Sequence, residues 1–243
     1  IKTLFEEKND KWVEPEHTAV FLPNNNSEFL WLSERDGFMN LYKYNINNKN
    51  EKELTQFNWV IKEIIGFDNS GENVIVLGTG SDARETKAYK VNLKNGAIET
   101  LTEEAGSHSV KLSSDGKYII DSYTSIDIPR IVKRKSIDDG KEVTIYTSKN
   151  PIKGYQLGTT EFVTLTSKDG SDLFGRIIKP ANFDETKTDG RPRTGFVQVD
   201  FMPGDPGWMK TYYHSPSEQE SKYKGVFRNL LIATICAVHE RNA

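Results

Sequence analysis

Internal repetition constrains this chain's fold more than any other feature, because a fixed period of strands and turns dictates an architecture. Three stretches run in parallel: Asn25-Asn26-Ser27-Glu28-Phe29-Leu30-Trp31-Leu32, Asn69-Ser70-Gly71-Glu72-Asn73-Val74-Ile75-Val76-Leu77 and Ser114-Asp115-Gly116-Lys117-Tyr118-Ile119-Ile120. With Ser27, Gly71 and Gly116 as turn marks, the steps are 44 and 45 residues. Two further registers keep time with the first. Leu41-Tyr42-Lys43-Tyr44-Asn45 returns as Ala88-Tyr89-Lys90-Val91-Asn92, and Glu53-Leu54-Thr55 returns as Thr100-Leu101-Thr102.

Within each period the segments read as strands. The second period gives Val60 to Phe67, a turn at Asp68 to Glu72, Asn73 to Gly78, then Lys87 to Asn92, a turn at Lys94-Asn95-Gly96, and Ala97 to Thr102. Alternation in Lys87-Ala88-Tyr89-Lys90-Val91 suits a half-buried strand. Asn95-Gly96, Asp115-Gly116 and Asp139-Gly140 supply the positive φ that tight hairpins need. Four antiparallel strands per period make a β-propeller blade. The expected fold is all-β: three blades at 16–58, 59–104 and 105–150, with residues 1–15 as the end of a preceding blade. A β-sandwich with accidental spacing is the competing reading. Three blades do not close a ring, which typically takes about 4–8. The chain is therefore expected to be a fragment, or to be completed by neighbouring copies.

Residues 151–187 break the period. Glu161 to Thr166, a Lys168-Asp169-Gly170 turn, and Leu173 to Pro180 read as one long hairpin, ended by a proline that cannot donate to a ladder. Residues 188–243 form a divergent tail. It holds an alternating run from Gly195 to Phe201, a Pro203-Gly204-Asp205-Pro206-Gly207 loop, a polar stretch, and the apolar run Leu230 to Val238, readable as a buried strand or a short helix. That run is far too short to span a bilayer.

Charge and cysteine content narrow the chemistry. With 32 basic and 35 acidic residues the net charge is −3, which gives no general reason to bind nucleic acid or an anionic membrane. Cys236 is the single cysteine, so neither an internal disulfide framework nor a thiolate-rich zinc site is expected. Four scattered histidines (His17, His108, His214, His239) do not make a metal cage. No metal and no cofactor are expected.

At this point particular residues carry a resemblance. Ser33-Glu34-Arg35-Asp36-Gly37-Phe38 followed by Leu41-Tyr42 resembles a propeller motif of bacterial dipeptidyl peptidase IV, in the prolyl oligopeptidase family. Asp10-Lys11-Trp12-Val13-Glu14 is similar to the family as well. Lys168-Asp169-Gly170 with Ile178-Lys179-Pro180-Ala181-Asn182-Phe183-Asp184 resembles that family's passage from propeller to α/β-hydrolase domain. The resemblance covers about residues 1–187. It implies the C-terminal part of an eight-bladed propeller and the opening of a serine exopeptidase domain that removes N-terminal dipeptides with proline second. It also implies peptide substrates in the parent enzyme and a periplasmic or secreted location. After Lys187 the sequence follows the family only loosely.

A hydrolase of this kind needs a Gly-x-Ser-x-Gly elbow, with an acid and a histidine downstream. The sequence contains no such elbow; Ser70-Gly71 and Gly170-Ser171 are flanked as hairpin turns, and His239 has no suitable serine before it. No catalytic residue is assigned, and the chain alone is expected to be inactive. Glu6-Glu7 has the composition of the paired glutamates with which the family holds a substrate amino group. Its surroundings do not match that motif, so a solvated acidic turn is the expectation. Asp68 to Glu72 lacks calcium-loop spacing and reads as a turn. Ser81 to Thr86 reads as a solvated loop at a blade end, with partner binding as the alternative. Trp31, Tyr42, Tyr44 and Tyr89 read as cross-strand packing rather than a nucleic-acid stacking platform. Asn25-Asn26-Ser27 matches a glycosylation sequon. Two other readings stand beside the exopeptidase portion: a non-catalytic propeller module that binds a protein or peptide, and a partial propeller that assembles as a homo-oligomer through its open edges.

Overall fold

In a computed structural model the structure describes residues 3, 5–8, 13, 18–166, 170, 172–179 and 181, with the backbone alone of 196–201 and 209–214. The described residues form strands and no helix. Two compact units divide the chain, Ile1–Pro151 and Ile152–Ala243.

The first unit holds three four-stranded antiparallel sheets in simple meander order. Blade one contains β1 (Val20–Phe21), β2 (Glu28–Ser33), β3 (Asn40–Asn45) and β4 (Glu51–Glu53). Blade two contains β5 (Ile61–Phe67), β6 (Asn73–Gly78), β7 (Lys87–Asn92) and β8 (Ile98–Thr100). Blade three contains β9 (Ser107–Leu112), β10 (Tyr118–Thr124), β11 (Ile131–Ser136) and β12 (Glu142–Thr147).

The sequence alternation becomes burial in a way that separates the blades. Strand β6 is buried at five consecutive positions because both its faces are covered. Val74 and Val76 join Leu30, Leu32 and Leu41 of blade one in one apolar cluster. Ile75 and Leu77 join Val110, Ile119 and Ile137 of blade three in the other. Side chains alternate across a strand, so one apolar run feeds two cores. Strand β10 instead alternates: Ile119 is fully buried, whereas Tyr118 and Ile120 remain 37% exposed.

The repeated Leu-Thr pairs do one job twice. The Leu54 and Leu101 N–H groups donate to the carbonyls of Leu41 and Ala88, each at 2.8 Å. The hydroxyl oxygens of Thr55 and Thr102 then accept the N–H groups of Leu41 and Ala88, each at 2.9 Å. A side-chain oxygen thus takes over where the outer strand ends, and leaves no buried donor orphaned. Asn45 and Asn92 recur likewise, each side-chain oxygen accepting two N–H groups of the turn that follows it.

The turn marks are equivalent in two of three blades. Gly71 and Gly116 have φ of +69° and +68° and close matching turns onto Asp68 and Ser113. Blade one departs from this: its positive φ falls on Asn24, and Asn25 closes the turn onto Leu22. The Asn25 side-chain oxygen accepts the N–H groups of Ser27 and Glu28 at 2.9 and 3.1 Å, so an asparagine replaces the glycine there. The blade-two strands β6 and β7 have the expected bounds, whereas β8 is three residues long where Ala97 to Thr102 was expected.

In the second unit β13 (Thr159–Thr166) and β14 (Asp172–Lys179) form the expected hairpin, pairing from Thr159 with Lys179 to Thr166 with Asp172. Strand β15 (Phe196–Phe201) matches the alternating run. It pairs antiparallel with β16 (Met209–His214), a strand absent from the sequence expectation. Pro180, all but the first residue of the polar stretch 214–228, Leu230 to Val238, Cys236 and the remaining tail lie outside the described residues.

Gly116 sits where blades two and three meet: a Cβ there would lie 2.5 Å from the Asn69 nitrogen, which itself donates to the Gly116 carbonyl at 3.0 Å. Gly140 has a similar φ of +69° with nothing within 4 Å. Gly140→Ala is therefore expected to cost only the left-handed backbone, about 1–2 kcal/mol. Gly116→Ala should cost more, by about 1–3 kcal/mol beyond that. Urea midpoints at constant slope measure both, and equal losses would show that the blade contact carries nothing.

Candidate functional site

A dense polar constellation lies at the end of blade one, where residues 5–8 pack on β2 and β3. Phe5 enters an aromatic nest, with ring centroids 5.2 Å from Trp31, 5.3 Å from Tyr44 and 6.1 Å from Phe29. Two residues on, the Glu7 carboxylate accepts the Trp31 indole N–H at 3.0 Å and the Ser33 hydroxyl, and takes the Arg35 guanidinium at 3.4 Å. Arg35 also reaches Glu51 at 2.5 Å and lies 4.5 Å over the Tyr42 ring. The Tyr42 hydroxyl donates to Asp36 at 2.5 Å, with Glu53 at 3.3 Å. Burial, then the Asp36 bond and the nearby carboxylates, push this phenol far above its ordinary range.

This arrangement corrects the reading of Glu6-Glu7 as a solvated pair. Glu6 is solvated, 67% exposed and paired with Lys8 at 3.1 Å. Glu7 is 14% exposed and occupied by three donors on blade one. A carboxylate so engaged has little capacity left for an incoming ammonium, so the pair does not make an amine anchor. The signal in the sequence was Phe5, an aromatic beside Glu7 that turns the segment inward.

The other candidate positions resolve as structure. In the Ser81–Thr86 loop, Asp82 accepts the backbone and side-chain N–H groups of Arg84 at 2.8–2.9 Å. The Arg84 bonds hold that carboxyl below the usual carboxylate range. Glu85 pairs with Lys87 at 2.9 Å, and Thr86 is stitched to blade three through Gly106 and His108. The loop is thus closed on itself and on its neighbour. Asp68 spends its carboxylate on Ser70 and Asn73, as a turn would. Asn25 gives its amide to Glu28 at 3.0 Å. Tyr42, Tyr44 and Tyr89 are buried, and Trp31 lies directly across the ladder from Tyr42. These aromatics pack between strands, as the sequence indicates.

Among the described residues no group of three or more His, Cys, Asp or Glu side chains could hold a metal ion. No helix among them is long and apolar enough to cross a membrane. His17, Ser171 and His239 lie outside the described residues, and only the backbone of His214 is described. His108, one of the four scattered histidines, is buried against Asp121 on the neighbouring strand, a contact that no local pattern in the sequence announces.

Comparison with known proteins gives these blades a context. The family described as the dipeptidyl peptidase IV (DPP IV) N-terminal region matches residues 1–130. Dipeptidyl peptidase 4 of Trichophyton rubrum is 22% identical over 186 residues, covering 73% of this chain and 24% of its own length. A solved Bacteroides ovatus structure, assigned as a dipeptidyl aminopeptidase IV, is 33% identical with a TM-score of 0.65, covering 74% of this chain and 28% of that one. Porphyromonas gingivalis dipeptidyl peptidase 4 shares the fold with a TM-score of 0.63 at 24% identity, over 72% of this chain and 25% of that one. The chain thus spans about a quarter of the length of these relatives.

The two glutamates are separable by experiment. Glu7→Ala strands the Trp31 and Ser33 donors and one side of Arg35, and is expected to cost about 1–3 kcal/mol. Glu6→Ala removes an exposed pair and should stay within about 0.5 kcal/mol. Urea unfolding of both variants checks this, and equal effects would return Glu7 to the solvated class.

Proposed function

Because the chain belongs to the dipeptidyl peptidase IV N-terminal region family, we propose that it is the propeller-side portion of a serine exopeptidase whose blades wall a chamber that peptides must enter. The observation that carries the reading is the unbroken run of three face-packed, four-stranded blades in a chain that matches that family. A wall of this kind is stiff: its apolar faces are buried between sheets, and its end loops are closed by their own hydrogen bonds. Stiffness lets passage size discriminate, admitting an extended peptide end and refusing a folded protein.

In this reading the groups for acyl transfer come from elsewhere in the parent polypeptide, where serine, histidine and aspartate share the chemistry. The sequence here has no Gly-x-Ser-x-Gly elbow. The substrates are peptides from which an N-terminal dipeptide with proline second is removed. The place of action is outside the cytoplasm, in the periplasm or the medium, and a single cysteine suits that without requiring it.

The test is release of a Gly-Pro-linked chromophore by this chain and by its full-length parent. The parent is expected to cleave and this chain to give no release above background. Cleavage by a clean preparation of this chain would overturn the division of labour. A parent inert toward every X-Pro substrate would instead favour a peptide-binding propeller.

A further inference from the structure

The outer strands of the three blades are not alike. Strand β4 is three residues long and reads Glu51-Lys52-Glu53, and β8 is three residues long and reads Ile98-Glu99-Thr100. Their charged groups are engaged: Glu51 by Arg35, Lys52 by the Lys94 carbonyl and Glu99 by Lys90. Short outer strands carrying charge are a usual way for a sheet to keep its edge from pairing with another chain.

Strand β12 is neither short nor highly charged. It runs for six residues, Glu142-Val143-Thr144-Ile145-Tyr146-Thr147, and all six are exposed. Val143, Ile145 and Tyr146 leave 51%, 58% and 54% of their surface open. The one charged side chain, Glu142, is held by Lys133 and Lys135 of its own blade at 3.0 and 3.2 Å, so it does not guard the edge. Among the described residues only β11 pairs with β12, which leaves the backbone groups on its other side without a ladder. Ile145 has no partner even on β11, because the register shifts beside it.

The strand is complementary to itself. Two copies paired antiparallel about a two-fold axis between Thr144 and Ile145 set Val143 of each opposite Tyr146 of the other. That is the pairing of a β-branched with an aromatic residue that stabilises adjacent strands. The two Glu142 side chains fall at opposite ends, each facing Thr147, so no like charges meet. A contact of this isologous kind uses the same edge of both copies and therefore closes as a dimer instead of growing into a fibre. From this complementarity we infer that β12 is an interaction edge whose partner is a second copy of this chain, joined strand to strand about a two-fold axis.

Sedimentation equilibrium of the full chain tests the edge. Six paired residues make a small interface, so a dissociation constant on the order of 10 μM is expected. Tyr146→Lys removes both aromatic pairs and should weaken the dimer about tenfold. Adding Val143→Glu to that variant should restore association, because each introduced ammonium then meets a carboxylate across the new ladder. A strict monomer up to about 1 mM would overturn the inference. So would a dimer indifferent to Tyr146→Lys, or a double variant that stays dissociated. Hydrogen exchange of the unsubstituted chain gives a readout free of any variant that fails to fold. Amides of residues 142–147 should exchange more slowly in concentrated than in dilute solution, and exchange independent of concentration would sink the dimer.

Discussion

Both faces of blade two are apolar, and each is satisfied only by another sheet. Val74 and Val76 look into the cluster shared with blade one, and Ile75 and Leu77 into the cluster shared with blade three. A single four-stranded sheet cannot bury two faces by itself, so the unit of folding here is the stack rather than the blade. The other features of the first unit, its Leu-Thr clips, its glycine seams and its polar ends, lie where this stacking needs the backbone to close.

The seams differ in chemistry. Between blades one and two, Trp59 stacks on Phe57 at 4.3 Å and approaches Tyr89 at 4.9 Å, the Ile61 N–H donates to the Met39 carbonyl at 2.9 Å, and the Lys52 ammonium donates to the Lys94 carbonyl at 2.6 Å. Between blades two and three, the apolar cluster is joined by backbone bonds from Asn69 to Gly116 and between Thr86 and the Gly106–His108 segment. At the far side of blade one, residues 5–8 supply Phe5 and Glu7 to the β2–β3 surface. A wall held at each junction by different interactions suits a scaffold that must keep its shape while peptides pass, the role proposed for it.

Much of this was legible in the chain. Turn glycines at Gly96, Gly116 and Gly140 have positive φ because the hairpins demand it, and that demand shows in the sequence as Asn-Gly and Asp-Gly pairs; Gly71, with the same sign of φ, follows a serine. The Leu-Thr pairs were visible as a register but their purpose was not, because a threonine accepting a backbone N–H looks in sequence like any strand threonine. Strand β16 escaped because Met209 to His214 follows a proline- and glycine-rich loop and carries no clear alternation. Glu7 was misread for a different reason: its fate depends on Trp31 and Ser33, more than twenty residues away.

The sequence by itself determined the period, the strand-and-turn grammar within it, the absence of a serine elbow, and the family resemblance. These are local properties, set by side-chain alternation and by the φ each turn needs. Only the tertiary structure decided which apolar face meets which neighbour, that Glu7 is a structural ligand of blade one, and that His108 shares a buried bond with Asp121. Those outcomes depend on which groups are brought together and shielded from water, and burial is a property of the packed stack that no short segment of chain carries.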